Sequence, residues 1–86
     1  MQTMKEDVFS QTFAIGAVRS VSLEVRDGNA LICFMLLDGS RGMVHTKRGG
    51  PKEYRIETAL RLLRSLGVSS VSVDLSGWQL GQKELL

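Results

Sequence analysis

Between Arg41 and Arg64 the chain carries seven basic residues, Arg41, Lys47, Arg48, Lys52, Arg55, Arg61 and Arg64, against Glu53 and Glu57, a local balance of +5. Outside this block four basic and seven acidic residues balance to −3, so the formal net charge of +2 conceals a segregated basic stretch. Clustered cations of this kind suit a phosphate backbone, because each neutralised phosphate releases counterions whatever the base sequence. Within the stretch, Arg48-Gly49-Gly50-Pro51-Lys52 places two residues without side chains among the cations, so backbone amides and charges could approach a phosphate together. The candidate nucleic-acid contacts are therefore Arg41, Lys47, Arg48, Gly49, Gly50, Lys52 and Arg55, with DNA as the candidate partner. A solvated charged face and an ordinary Arg-Gly-Gly loop would carry the same residues. Arg61 and Arg64 rank second, because Glu57 four residues before Arg61 and the C-terminal end of a helix near Arg64 already give both a role.

Other chemistries find little support in the residue types. One histidine, His45, and one cysteine, Cys33, make neither a metal-ligand cluster nor a Cys/His pair, so no metal or cofactor is expected. Asp27 and Asp38 stand in turn contexts rather than as a carboxylate pair. The glycine pair lacks the G-x-x-x-x-G-K-[ST] spacing of a nucleotide phosphate loop. Trp78 and Tyr54 could stack on bases, but packing is the commoner use of a lone tryptophan. The expectation is a protein without catalytic activity.

The bounds are narrow. A length of 86 residues allows a single domain, 1–86, with 1–10 read as a flexible N-terminal tail. The longest apolar run, Ala30 to Leu37, is far short of the roughly 20 residues of a membrane span. With Lys5, Glu6 and Asp7 at the start, neither a membrane helix nor a secretory signal is expected, and the single cysteine suits a reducing cytoplasm.

The elements that must position the basic residues follow from periodicity. Val21, Leu23 and Val25 alternate with polar residues, the pattern of a strand with one dry face. Asp27-Gly28-Asn29 is a hairpin turn. Ala30–Leu37 has no polar alternation and reads as a central strand covered on both faces. Met43 to Arg48 returns as a third strand, and Gly49-Gly50-Pro51 breaks it. Ile56, Ala59, Leu60, Leu63 and Leu66 then form the apolar stripe of a helix that Gly67 stops. Val68, Val71, Val73 and Leu75 suggest a fourth strand. The expected fold is α+β: a small antiparallel sheet in β-β-β-α-β order with one helix on one face. The second face of the central strand would be covered by a second copy in a homodimer, or by Phe9, Phe13, Trp78 and Leu80 folding back.

The segment Lys47-Arg48-Gly49-Gly50-Pro51-Lys52-Glu53-Tyr54-Arg55, followed by Ala59-Leu60-Arg61-Leu62-Leu63-Arg64-Ser65-Leu66-Gly67-Val68, resembles the ParC-like partition-associated family, small plasmid-borne bacterial proteins distinct from the topoisomerase subunit of that name. The resemblance covers about a quarter of the chain, and the sequence departs from it at the helix start, where Arg55-Ile56-Glu57 offers no Ser, Thr, Asp or Asn cap. It implies a non-enzymatic accessory of plasmid maintenance that acts on DNA or on another partition protein. The competing expectation is a homodimeric interaction module that recruits a partition or replication partner without touching DNA.

Overall fold

The computed structural model describes residues 2–78, whose elements run β1 (Gln2–Lys5), α1 (Glu6–Ala14), β2 (Val18–Arg26), β3 (Asn29–Leu36), β4 (Arg41–His45), β5 (Glu53–Arg55), α2 (Ile56–Leu66) and β6 (Ser72–Asp74). The α+β class expected from the sequence is the one found. The N-terminal residues, expected as a tail, are a strand and the start of a second helix. Phe9 and Phe13, one helical turn apart, give α1 an apolar edge, and Phe9 is completely buried. Glu6 and Asp7 sit in its first turn, where the helix dipole favours negative charge.

Both helices stop at the same motif. Gly67 is left-handed (φ +102°), with its amide bonded to the Arg64 carbonyl and that of Val68 to Leu63. Gly16 (φ +81°) repeats the arrangement after α1, bonding to Phe13 while Ala17 bonds to Thr12. At its start α2 has no side-chain cap on Arg55. Its stability comes from the stripe instead, with Ala59 and Leu63 buried and Ile56, Leu62 and Leu66 packed against the core.

The sheet is mixed rather than antiparallel, in the order β1-β4-β3-β2-β6 with β5 also paired to β3. The Asp27-Gly28 turn joins β2 and β3, both residues having positive φ as a two-residue hairpin loop requires. Both outer strands are parallel to their neighbours: β1 to β4, with Lys5 beside His45, and β6 to β2, with Val73 beside Leu23. The expected third strand is shorter than read. It ends at His45, and the chain resumes as β5 on the same side of β3, Tyr54 lying opposite Ala30. No helix among the described residues is long and apolar enough to cross a membrane.

The core lies between the sheet and its two helices. Val21, Leu23, Ala30, Ile32, Phe34, Val44 and Tyr54 meet Phe9 from α1 and Ala59 and Leu63 from α2. Gly42 is required here: a Cβ would run into the Phe34 ring and within 2.7 Å of the Gln2 carbonyl oxygen. The ring occupies that space and meets Phe9 with centroids 5.5 Å apart. Of the residues expected to fold back, Phe9 and Phe13 do so, but onto the face that α2 also covers. Trp78 is 42% exposed and Leu80 lies outside the described residues. Among the described residues the opposite face, with Cys33 and Met35 half-buried on β3, carries no helix.

Candidate nucleic-acid interface

The strongest of the expected contacts lie on a tight turn where β4 leaves the sheet. Thr46, Lys47, Arg48 and Gly49 close it: the Gly49 amide donates to the Thr46 carbonyl at 3.0 Å, and Gly49 is left-handed at φ +95°. The Thr46 amide donates to the Gly50 carbonyl at 2.7 Å, the Lys52 amide to Val44 at 3.1 Å, and His45 bridges Pro51 across the base. The His45 ring adds a bond from Nδ1–H to the Gly49 carbonyl at 2.8 Å. The turn is thus a small hairpin pinned at several points, with the exposed side chains of Lys47 and Arg48 at its tip. Neither makes an ion pair among the described residues.

Gly49 serves the turn itself. Gly49 supplies the positive φ that the turn needs, and its amide is already committed to Thr46. Its contribution is to hold Lys47 and Arg48 outward. His45, which catalysis would require beside a carboxylate, bonds a backbone carbonyl.

Lys52 stands at the root of the turn. Its ammonium lies 3.1 Å from Glu6 Oε1, at the start of α1, and 5.3 Å from the centre of the Tyr54 ring. The Tyr54 hydroxyl donates to the same carboxylate oxygen at 2.6 Å. This hydrogen bond, with help from Lys52 and against partial desolvation, holds the Glu6 carboxyl below its ordinary value. Burial first, and the Glu6 carboxylate second, push the Tyr54 hydroxyl up. Lys52 therefore fastens α1 to β5, so its charge is partly offset before any ligand arrives.

The remaining expected residues are dispersed. Arg41 lies opposite Met35 and Arg55 opposite Asn29, both on the helix-free face and six residues apart along β3, roughly 20 Å. Arg41 borders a shallow depression whose lining also includes Ser22, Glu24, Cys33, Met35 and Asp74. Burial raises the Cys33 thiol above its ordinary value, with Glu24 acting in the same direction, so it stays protonated at neutral pH.

One basic residue escaped the sequence reading. The parallel β1–β4 pairing sets Lys5 beside His45, and Lys5, Lys47 and Lys52 line one shallow cleft with Glu6, Asp7 and Thr46 among its walls. Nothing local could have shown this, because Lys5 and Lys47 are brought together by strand pairing. Glu6 is bound to Lys52 and Tyr54, and Asp7 Oδ1 accepts from the Val8 amide at 2.9 Å, so the two acids in the cleft are engaged within α1 and its anchor. Around this cleft Lys5, Lys47 and Arg48 face solvent without an ion pair among the described residues. Among the described residues no set of three His, Cys, Asp or Glu side chains is placed to hold a metal ion. Comparison with protein-family models, with curated proteins and with solved structures finds no match to this chain.

Proposed function

We propose that this protein is a non-enzymatic accessory of plasmid or DNA maintenance in the bacterial cytoplasm, holding the DNA backbone through the 46–50 turn. The observation that carries the reading is the pinned turn with Lys47 and Arg48 exposed and unpaired at its tip, Lys5 beside its root. A turn fixed by its own hydrogen bonds loses little freedom on binding, so its cations can be spent on phosphates without first being ordered. Contacts of this type position a protein on a duplex and carry no base readout. Lys47 and Arg48 are the principal contacts, Lys5 joins them, and Arg41 and Arg55 contribute at the ends of the β4–β5 column. Gly49 and Gly50 shape the turn and Lys52 braces it. The resemblance of residues 47–68 to the ParC-like partition-associated family supports placing this activity in plasmid maintenance.

The test is fluorescence anisotropy of a labelled random-sequence duplex at increasing salt. Binding that weakens linearly in log salt, with little preference among sequences, is expected. Absence of binding at low salt would overturn the reading.

A second reading, a homodimeric module that recruits a partition or replication protein, is favoured by the sheet face opposite the two helices, where Cys33 and Met35 are half-buried and, among the described residues, no helix lies over them. An apolar interface of that kind changes little with salt, so the same titration separates the two.

A further inference from the structure

β6 is the margin of the sheet, and among the described residues no strand pairs with its outer side. Exposed edges are usually blunted by a lysine, a proline, a bulge or a covering element. β6 is only three residues long and carries the charge of Asp74, both of which limit pairing, but it has neither lysine nor proline, its pairing with β2 is unbroken, and all three residues are exposed. Val73 is 52% exposed, and the chain that follows adds Leu75 at 53%.

The sequence around this edge complements itself. Val73 shares the helix-bearing face with Leu23, and the alternation places Val71 and Leu75 on that side and Ser72 and Asp74 on the other. In an antiparallel pairing of two copies centred on Val73, Val73 faces its own equivalent, Val71 faces Leu75, and Ser72 faces Asp74. Apolar residues meet apolar ones on one face, and a hydroxyl donor meets a carboxylate on the other. Asp74 uses Oδ1 for the amide and hydroxyl of Ser76, which leaves Oδ2 for the hydroxyl of Ser72 in the second copy. Shifting the centre to Asp74 would oppose two carboxylates, and shifting it to Ser72 would set Leu75 against Ser69, so one register is singled out. Beside Val71, an apolar groove lined by Leu60, Leu63 and Val68 lies next to the position that Leu75 of the second copy would take.

We propose that a second copy of this chain docks on β6, pairing antiparallel about Val73, so that the two sheets become one across a two-fold axis. Val73 is level with Leu23 and Ile32 across the sheet, and the Cys33–Met43 pair puts Val44 on the same row. Each 46–50 turn therefore leaves its strand within about one residue of the level of the axis. Seven strand spacings separate the two turn roots, roughly 34 Å, which is close to one turn of duplex DNA. That spacing matters only if the turns hold DNA as proposed above; the pairing itself is independent of it.

Sedimentation velocity over a concentration series without DNA tests the pairing directly, with Val73→Lys as the blunted edge and circular dichroism to check that the variant is folded. The dimer is expected for the natural chain and lost in Val73→Lys. A monomer throughout, or a dimer that a folded Val73→Lys leaves intact, would overturn the proposal. In a Cys33→Ser background, Val73→Cys should form a disulfide between two copies under oxidation much faster than Ile15→Cys, whose site is 80% exposed and away from the edge. Equal rates would overturn the proposal even if Val73→Lys failed to fold. A dimer that forms without DNA affinity would refute the DNA reading alone.

Discussion

The two margins of the sheet are finished in opposite ways. At the β1–β4 margin the chain adds a strand, a helix and a hydrogen-bonded turn: Lys5 beside His45, Glu6 fastened by Tyr54 and Lys52, and Lys47 and Arg48 held clear of the surface. At the β6 margin it adds three exposed residues, with no further strand among the described residues, and Val73 and Leu75 are about half exposed. The first margin carries a lysine, Lys5, on its edge strand, a charge that discourages pairing with another strand, and its free cations suit a polyanion. Among the described residues nothing pairs with the outer side of the second, which is apolar on one face and self-complementary in sequence. Under the two proposals above the margins take distinct partners, a phosphate backbone at one and another copy of the chain at the other.

The most severe way to break the first margin is Phe9→Ala, which empties the site where α1 meets Phe34. It should cost about 3–5 kcal/mol, a large part of the total stability of a domain this size, and lower the urea midpoint accordingly. Gly42→Ala comes next. A methyl group there meets Phe34 and the Gln2 carbonyl, so the β1–β4 junction must shift, at about 1–3 kcal/mol or more by the same denaturation assay.

Tyr54→Phe removes one bond to a carboxylate and should cost about 1 kcal/mol. It also tests the electrostatics. Because the fold lowers the Glu6 pKa from 4.5, the contribution of its ionised form is complete above that value and is lost as pH falls through the lower, folded value. Urea titrations across that acidic range should show stability falling with pH, less steeply in Tyr54→Phe and less still in Glu6→Gln. Curves that superimpose would mean the anchor does not link protonation to folding.

These experiments also separate what was legible in the sequence from what was not. α2 was readable because its signals are local, an apolar stripe at steps of three and four and a glycine stop, although Leu60 of the expected stripe is exposed and Leu62 packs on the core instead. The β2–β3 hairpin was readable for the same reason, through alternation and Asp27-Gly28. α1 carries the same kinds of signal in compressed form, Phe9 and Phe13 one turn apart and Gly16 at the end. With only nine residues, it offers too few repeats of the stripe to stand out from its polar neighbours. The parallel pairings of β1 and β6 were not readable, since they depend on which strands lie between their ends in space. The same is true of the interface. Composition picked out Lys47 and Arg48, but could not show that Lys52 is bound to Glu6, that Arg41 and Arg55 lie far apart along β3, or that Lys5 stands beside the turn.

The smallest structural perturbation is the most informative one. Lys47→Ala combined with Arg48→Ala touches exposed side chains without ion partners, so the stability change should stay within about 0.5 kcal/mol. The decisive measurement is the slope of log affinity against log salt for a random duplex, for the natural chain and this double variant. Weaker binding by the variant is expected, with a slope shallower by about 0.9 for each phosphate that is no longer neutralised and with the fold unchanged. The same slope and affinity in both proteins would contradict the assignment of the Lys47–Arg48 turn to the phosphate backbone.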